Sequence, residues 1–153
     1  MITKEQIISL AEEALRGTDR YVVDVTVSSD DVIEVYIDSD TSVTIDDCVE
    51  ASRYIEEHLD RDAEDFELSV SSAGIDEPLL VVRQYGKYIG ENLFITKNDG
   101  VKKMYKLVSV SDLQIEVQEA EQKKYGKLIK ILYHDNETIL IEEIKEIRPY
   151  IKF

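Results

Sequence analysis

The spacing of apolar residues changes once along this chain, and that change limits the folds that the chain can adopt. In the first part, stretches with helical spacing are interleaved with stretches in which apolar and polar residues alternate. Thr3 and Gln6 have the form of a capping box, which predicts a first helix that ends at Gly17. Thr44 and Asp47 have a similar form and predict the start of a second helix. Alternation predicts strands at residues 23–27, 33–37 and 66–70. The order α-β-β-α-β indicates an α+β fold whose helices pack on one face of a three-stranded sheet.

The second predicted helix carries an apolar face, and we expect this face to pack on the sheet. It consists of Ile45, Cys48, Val49, Ser52, Ile55 and Leu59. Cys48 is the only cysteine, so the chain can form no internal disulfide, which is typical of a reducing cytoplasm. On an apolar helix face, a cysteine is expected to act as a small buried hydrophobe rather than as a nucleophile.

Beyond residue 82 the helical spacing gives way to short runs with the character of strands. Strands are predicted at residues 92–97, 102–110, 113–118, 127–133 and 138–141. The turn signals between them are Asn98-Asp99-Gly100, Ser111-Asp112 and Asp135-Asn136. Several short strands at close spacing predict a small β-barrel of the SH3-like or Sm-like kind.

The charge of the chain divides at nearly the same place as its apolar pattern. Residues 1–81 contain 5 Lys and Arg against 22 Asp and Glu, a net charge of −17. Residues 82–153 contain 13 against 11, a net charge of +2. We therefore predict two domains, an acidic α/β domain at 1–81 and a β-barrel domain at 82–153. The acidic domain should repel nucleic acid and attract basic proteins. The alternative is that the acidic charge only keeps the protein soluble.

The segment between the two predicted domains combines small hydroxyl residues with glycine and proline. Such a segment is compatible with a phosphate nest, a nucleophile turn, a hinge or a plain connection. Ser72-Ala73-Gly74 lacks the first glycine of a G-x-S-x-G nucleophile elbow, which argues against a hydrolase. The charge change across the segment favours a domain junction. The expected junction residues are Ser71, Ser72, Gly74, Asp76, Pro78 and Leu79.

The sequence contains none of the common motifs of catalysis or cofactor binding. A phosphate-binding loop, a dinucleotide fingerprint and an H-E-x-x-H zinc motif are all missing. Two histidines and one cysteine cannot build a Cys/His zinc cage within this chain. The acidic clusters at 38–40, 46–47 and 60–62 leave a calcium site as an alternative to solvated loops, although none has the EF-hand pattern. We expect no enzyme activity, no cofactor and no metal.

Basic residues interleaved with aromatic ones in the second half are the candidate contacts for RNA. The candidates are Arg83, Lys87, Lys102, Lys103 and Lys106. Further lysines, at 123, 124, 127 and 130, surround Tyr125. Lysines neutralise phosphates and exposed aromatic rings stack on unpaired bases. The alternative is that alternating lysines simply form the solvent-facing side of a barrel.

No apolar run approaches the roughly 20 residues that span a bilayer. The N-terminus also lacks the basic, apolar and small-residue regions of a secretory signal. We therefore expect a cytoplasmic protein without a membrane partner. Because nothing in the sequence demands a dimer, we expect a monomer.

Several segments, in their order and spacing, resemble the ribosome maturation factor RimP family. These segments are residues 21–25, 35–38, 43–48, 68–79 and 88–90. The most specific is Ser71-Ser72-x-Gly74-x-Asp76-x-Pro78-Leu79, together with the helix start at Val43-Thr44-Ile45-Asp46-Asp47-Cys48. Ala73 stands where the family usually has proline, and Glu77 stands where it has a basic residue. Residues 119–136 are long for the family and are expected to form an extended hairpin.

The resemblance implies an α/β domain followed by an SH3-like barrel, in agreement with the division read from the residues. It also implies a non-enzymatic factor that binds the immature small (30S) ribosomal subunit and assists its late assembly. We expect a basic ribosomal protein to meet the acidic domain, and 16S rRNA to be a possible contact of the barrel. The alternative is an acidic protein–protein adaptor that binds basic partners without contacting the ribosome.

Overall fold

The computed structural model describes residues 2–60, 62–63, 65–74 and 77–150 of the chain. Within-chain contacts divide the protein into two compact units, Met1–Gly74 and Ile75–Phe153. The domain boundary between residues 81 and 82, which the charge distribution favours, stays a prediction. Asp76 of the expected junction and Arg61 of one acidic cluster lie outside the described residues.

The first unit has the element order and the layered arrangement that its sequence predicts. Its elements are helix α1 (Lys4–Ala14), strands β1 (Arg20–Val27) and β2 (Val32–Ser39), helix α2 (Ile45–Glu57) and strand β3 (Glu67–Ser72). The strands form one sheet in the order β1-β2-β3. Strand β1 is antiparallel to β2, and β3 is parallel to it. The unit is therefore an α+β fold.

The core of the first unit lies between the central strand and the two helices. Alternate residues of β2, Ile33, Val35 and Ile37, are fully buried. Their side chains point to one face of the sheet because side chains alternate along a strand. The same cluster contains Ile7 and Ala11 of α1, its C-terminal cap Leu15, and Ala51 and Ile55 of α2. Both helices therefore pack on one face of the sheet, as expected.

The predicted inner face of α2 is correct at its centre and wrong at two positions. Ile55 is fully buried, and Cys48 and Leu59 pack against the core as half-buried residues. Ile45 is 83% exposed and Val49 is 40% exposed. The stripe that packs follows a spacing of three to four residues from Cys48 to Leu59. Val49 lies beside this stripe, and Ile45 lies one turn before it, at the start of the helix.

The capping box predicted for α2 is complete. Thr44 Oγ1 accepts a hydrogen bond from the Asp47 backbone amide at 3.1 Å, and Asp47 Oδ2 accepts one from the Thr44 amide at 2.9 Å. Arg20 of β1 adds an ion pair to Asp47, with Nη1 and Oδ1 2.9 Å apart. The hydrogen bond from the Thr44 amide is the main cause that lowers the pKa of Asp47 below 3.8. The Thr44 side chain and Arg20 lower it further, while burial opposes them.

Replacing Asp47 by Asn should therefore reduce the stability of the first unit in a pH-dependent way. Because the folded protein lowers this pKa, the ionised carboxylate stabilises the fold above the ordinary value of 3.8. That contribution is lost as the pH falls through the lowered value. Urea unfolding at about pH 7 and about pH 2.5 measures it, and the difference between wild type and Asp47→Asn should shrink at the lower pH. Asp46→Asn, at the exposed neighbouring position, is the control, and an equal loss for Asp47→Asn at both pH values would contradict this account.

The second unit is built from five antiparallel strands with a short helical segment in front. The helical segment is α3 (Val82–Tyr85), followed by a 3₁₀ turn, Gly86–Tyr88. The strands are β4 (Asn92–Lys97), β5 (Lys102–Val110), β6 (Gln114–Tyr125), β7 (Leu128–Leu140) and β8 (Ile144–Pro149), with a 3₁₀ turn at Ile141–Glu143 before β8. The sheet order is β7-β6-β5-β4-β8. The expected barrel is thus a small antiparallel β domain, and among the described residues its edge strands β7 and β8 do not pair to close it.

The inner face of this sheet holds the second core. Its fully buried members include Leu93 and Ile95 of β4, and Leu107 of β5. Tyr105 belongs to the same face and is 3% exposed. Burial, with smaller contributions from Glu137, Glu119 and Asp99, raises the pKa of Tyr105 to about 12. Its hydroxyl therefore resists ionisation even at alkaline pH.

Strand β7 continues through the turn that the sequence predicts at Asp135-Asn136. The chain reverses instead at Gly126, which has a φ of +63°. Gln118 of β6 faces Asn136, whereas Ala120 faces Tyr133, so β7 contains one extra residue at this point. The polar residues that resemble a turn therefore form a β-bulge inside the strand. The extended hairpin expected around residues 119–136 is thus part of one long β6–β7 pair.

Candidate nucleic-acid interface

The solvent-facing side of the five-stranded sheet collects aromatic and basic side chains. Strand β4 buries Leu93 and Ile95, so Asn92, Phe94 and Thr96 point the other way. Directly paired residues share a face, and the partners of these three on β5 are Lys106, Met104 and Lys102. On β8, the partners of Phe94 and Thr96 are Arg148 and Glu146. We call this surface, with Tyr133 and Tyr150, the outer face.

Two lysines of β5 on the outer face lie over aromatic rings from other strands, one from β4 and one from β7. Lys102 Nζ is 4.9 Å from the centre of the Phe94 ring, and Lys106 Nζ is 5.2 Å from that of Tyr133. The Tyr133 hydroxyl donates a hydrogen bond to Asn92 Oδ1 at 3.2 Å. A cation over an aromatic ring is held electrostatically by the ring's negative face. The lysines are therefore positioned beside aromatic surface rather than extended freely into solvent.

Further interactions continue the surface toward strand β8. The rings of Phe94 and Tyr150 meet edge to face, with centres 5.6 Å apart. Arg148 Nε lies 3.0 Å from Glu146 Oε1, which partly offsets the charge of this arginine. The outer face thus offers cations that can neutralise phosphates and rings that can stack on bases.

The candidate RNA-binding residues chosen from the sequence fall in different places. Lys102 and Lys106 are brought together on the outer face, as described above. Lys103 is paired with Ile95 and therefore belongs to the opposite side, where its Nζ lies 3.5 Å from Glu119 Oε1. Arg83 is exposed on α3, and Lys87 is half-buried in the 3₁₀ turn that follows. Whether these residues contact RNA stays a prediction.

The residues of the expected junction divide between the two units. Ser71 and Ser72 belong to β3, where they pair with Tyr36 and Ile37 of β2. Gly74 ends the first unit. Pro78 and Leu79 belong to the second unit, in which Leu79 is buried and its amide donates to the Ile147 carbonyl at 2.8 Å.

Gln84 is an important residue that sequence reasoning missed. It is 2% exposed, although it is polar. Its Oε1 accepts hydrogen bonds from the amides of Leu80 at 2.7 Å and Val81 at 3.1 Å. Gln84 therefore fixes the backbone that follows Pro78. The signal that could have found it was its place three residues after the N-cap of α3, where glutamine commonly reaches back to the start of a helix.

The alternative sites considered from the sequence have structural partners. Asp38 is buried, and its Oδ1 accepts a hydrogen bond from the Ser39 amide at 2.7 Å. Burial, with the nearby Asp47, raises the pKa of the Cys48 thiol, which disfavours the nucleophilic thiolate. His58, one of the two histidines of the chain, stacks on Tyr54, with ring centres 4.3 Å apart. Among the described residues, no group of three His, Cys, Asp or Glu side chains could hold a metal ion. In the same part of the chain, every helix is too short or too polar to cross a membrane.

Comparison with known proteins gives consistent matches over nearly the whole chain. Residues 10–76 match the family described as the RimP N-terminal domain. The ribosome maturation factor RimP of Flavobacterium psychrophilum is 36% identical over 148 residues, which cover 95% of this chain and 96% of that protein. The ribosome maturation factor RimP of Porphyromonas gingivalis is 34% identical over 147 residues, 95% of this chain and 97% of that protein. That of Christiangramia forsetii is 35% identical over 126 residues, 81% and 82% of the two chains.

The matches extend through both units, and they agree with the resemblance seen in the motif around Gly74 and in the start of α2. The chain therefore belongs to the RimP family of ribosome maturation factors.

Proposed function

We propose that this protein binds the immature small (30S) ribosomal subunit and assists its late assembly without catalysing a reaction. The observation that carries the proposal is the outer face, where Lys102 and Lys106 lie beside aromatic rings in a chain of net charge −15. In such an acidic protein, cations gathered on one surface are the groups best suited to approach a phosphate backbone.

The acidic first part of the chain is proposed to meet a basic ribosomal protein. With a net charge of −17 over residues 1–81, this part of the molecule repels 16S rRNA rather than attracting it. Opposite charge across a protein interface would speed encounter and select the partner. Affinity for the particle would then come from two kinds of interaction. The acidic surface would bind a ribosomal protein, and the outer face would bind rRNA.

Assembly can be assisted by binding alone. A factor that binds a late, nearly folded intermediate of a flexible RNA–protein particle more tightly than its unfolded forms shifts the equilibrium toward that intermediate. No catalytic residue is needed for this effect. We place this activity in the cytoplasm and assign it to a monomer.

The test is sedimentation of the purified protein with small-subunit precursors across a series of salt concentrations. We expect the protein to move with the particles at low salt and to be released as salt rises, since neutralising phosphates releases counterions. Mature small subunits, which should bind less well, are the control. If the protein stays at the top of the gradient at every salt concentration, the proposal is wrong.

The second candidate is an adaptor that binds basic proteins through its acidic surface and does not contact the ribosome. The charge of −17 on residues 1–81 is the observation that favours it. The two candidates differ in the role of Lys102 and Lys106, because an adaptor of this kind would not bind through these lysines.

A further inference from the structure

Strands β6 and β7 continue well past the point where the rest of the sheet ends. The last residue of β6 that pairs with β5 is Glu119, opposite Tyr105. From Glu121 opposite Leu132 to Tyr125 opposite Leu128, strands β6 and β7 pair with each other as a two-stranded ribbon. We call residues 121–132 the distal hairpin. A ribbon of this kind is marginally stable by itself, and its positions 121–130 are all exposed.

The distal hairpin is the most basic stretch of an otherwise acidic protein. Between Gln122 and His134 there are four lysines, at 123, 124, 127 and 130, and no Asp or Glu. Glu121, at the base of the hairpin, lies 3.3 Å from the His134 ring nitrogen Nε2. The lysines nearer the tip therefore present a concentrated positive charge.

Two of these lysines oppose each other directly. Lys123 pairs with Lys130 across the two strands. Directly opposed residues have their side chains on the same face, and like charges in this arrangement destabilise a strand pair. A carboxylate at one of the two positions would instead stabilise the strand pair. An anion bound between the two ammonium groups would remove the repulsion.

The same face of the distal hairpin also exposes apolar surface next to the lysine pair. Tyr125 and Leu128 form the adjacent cross-strand pair, and each is 56% exposed. Lys130 Nζ lies 5.9 Å from the centre of the Tyr125 ring. A phosphate held between the lysines would therefore have an exposed aromatic ring beside it.

We propose that the distal hairpin is an RNA-binding arm that takes unpaired nucleotides, with a phosphate between Lys123 and Lys130 and a base on Tyr125. This inference rests on the proposed function, because it assumes that RNA is within reach. Unpaired nucleotides suit the site better than a duplex does. The major groove of an RNA helix is too narrow to read, whereas bases in loops and bulges are free to stack.

The central experiment measures binding of a labelled stem-loop RNA with an all-uridine loop, and of a fully paired RNA of the same length, to the full chain. We expect the stem-loop to bind more tightly than the duplex. Tyr125→Ala should weaken stem-loop binding by at least about fivefold, the lower end of the effect of losing one stacked base, with little change for the duplex.

Lys130→Glu separates binding from folding, because the two should change in opposite directions. It converts the repelling Lys123–Lys130 pair into an attracting one, so the melting temperature should be unchanged or higher. Stem-loop binding should fall, and the slope of log affinity against log salt should decrease by about 0.7 for each phosphate that the variant no longer neutralises. Lys145→Glu, at an exposed position of β8, makes the same change in net charge and should bind as wild type does.

The inference fails if Lys130→Glu and Tyr125→Ala bind the stem-loop as wild type does, or if the duplex binds equally well. It also fails if the wild type binds phosphatidylserine vesicles but neither RNA, which would make the arm a membrane-binding element. Sedimentation with small-subunit precursors distinguishes the two proposals. If neither variant alters RNA binding while the wild type still sediments with particles, the distal hairpin is not an RNA-binding arm. The proposed function is then unaffected.

Discussion

A protein with Lys102→Glu and Lys106→Glu is expected to bind small-subunit precursors at least about tenfold more weakly than the wild type. Each lysine that neutralises a phosphate releases a condensed counterion, and removing two such lysines should cost about an order of magnitude near physiological salt. The reversed charges add repulsion. Both residues are on the outer face and neither is in the core, so the fold should persist. Binding measured by sedimentation at several salt concentrations should also show a shallower salt dependence.

The chain offers a charge-matched control for this experiment. Lys103→Glu with Lys145→Glu changes the net charge by the same amount, but Lys103 belongs to the opposite side of the sheet and Lys145 is exposed on β8. The control should lose little affinity. If both double variants weaken binding equally, only the overall charge matters and the outer face has no special role. If neither weakens it, the particle is bound without the outer face, and the proposed contact of Lys102 and Lys106 with rRNA is wrong.

The helix starts and strand positions of the first unit could be predicted because they depend on local chemistry. Thr44 and Asp47 are three residues apart, and this spacing alone allows each side chain to reach the other's amide. The alternation of Ile33, Val35 and Ile37 requires a strand with one buried face. Which turn of α2 reaches the core depends instead on the extent of the sheet below it, so the exposure of Ile45 could not be read from helical spacing.

In the second unit, the strands were easier to predict than their ends and partners. The composition of Asp135-Asn136 is typical of a turn. In the structure these residues stay in β7, where pairing with β6 accommodates the extra residue as a β-bulge. Strand β8 was not predicted, because Pro149 and its charged neighbours are unfavourable in a central strand. They are tolerated because β8 is an edge of the sheet.

Part of the outer face could have been predicted from the sequence. Lys103, Tyr105 and Leu107 are two residues apart and therefore lie on one face of the strand, which the two apolar residues mark as buried. The sequence could thus have placed Lys103 on the face opposite to Lys102 and Lys106. The aromatic partners of Lys102 and Lys106 could not be predicted from the sequence. They come from β4 and from the bulged part of β7, and their positions depend on strand register, which the sequence does not specify locally.

Replacing Gln84 by Ala is expected to destabilise the second unit by about 2 kcal/mol or more. The change removes both hydrogen bonds to the partly buried amides of Leu80 and Val81, and each such bond contributes about 0.5–1.5 kcal/mol. Urea unfolding followed through amide signals of β4 would measure the loss. Gln114→Ala, at an exposed position of β6, should change stability by less than about 0.5 kcal/mol.

A second substitution at this position separates hydrogen bonding from packing. Gln84→Met keeps most of the side-chain volume but has no strong acceptor, so it should be nearly as destabilising as Gln84→Ala if the two amide bonds dominate. In both variants, hydrogen exchange at Leu80 and Val81 should accelerate more than exchange at Leu79, whose amide bond to Ile147 does not involve Gln84. Stability of Gln84→Met equal to that of the wild type would mean that Gln84 acts by filling space. Exchange that rises equally at Leu79 would mean that the whole segment after Pro78 is held as one cooperative unit, rather than fixed at its end by this one side chain.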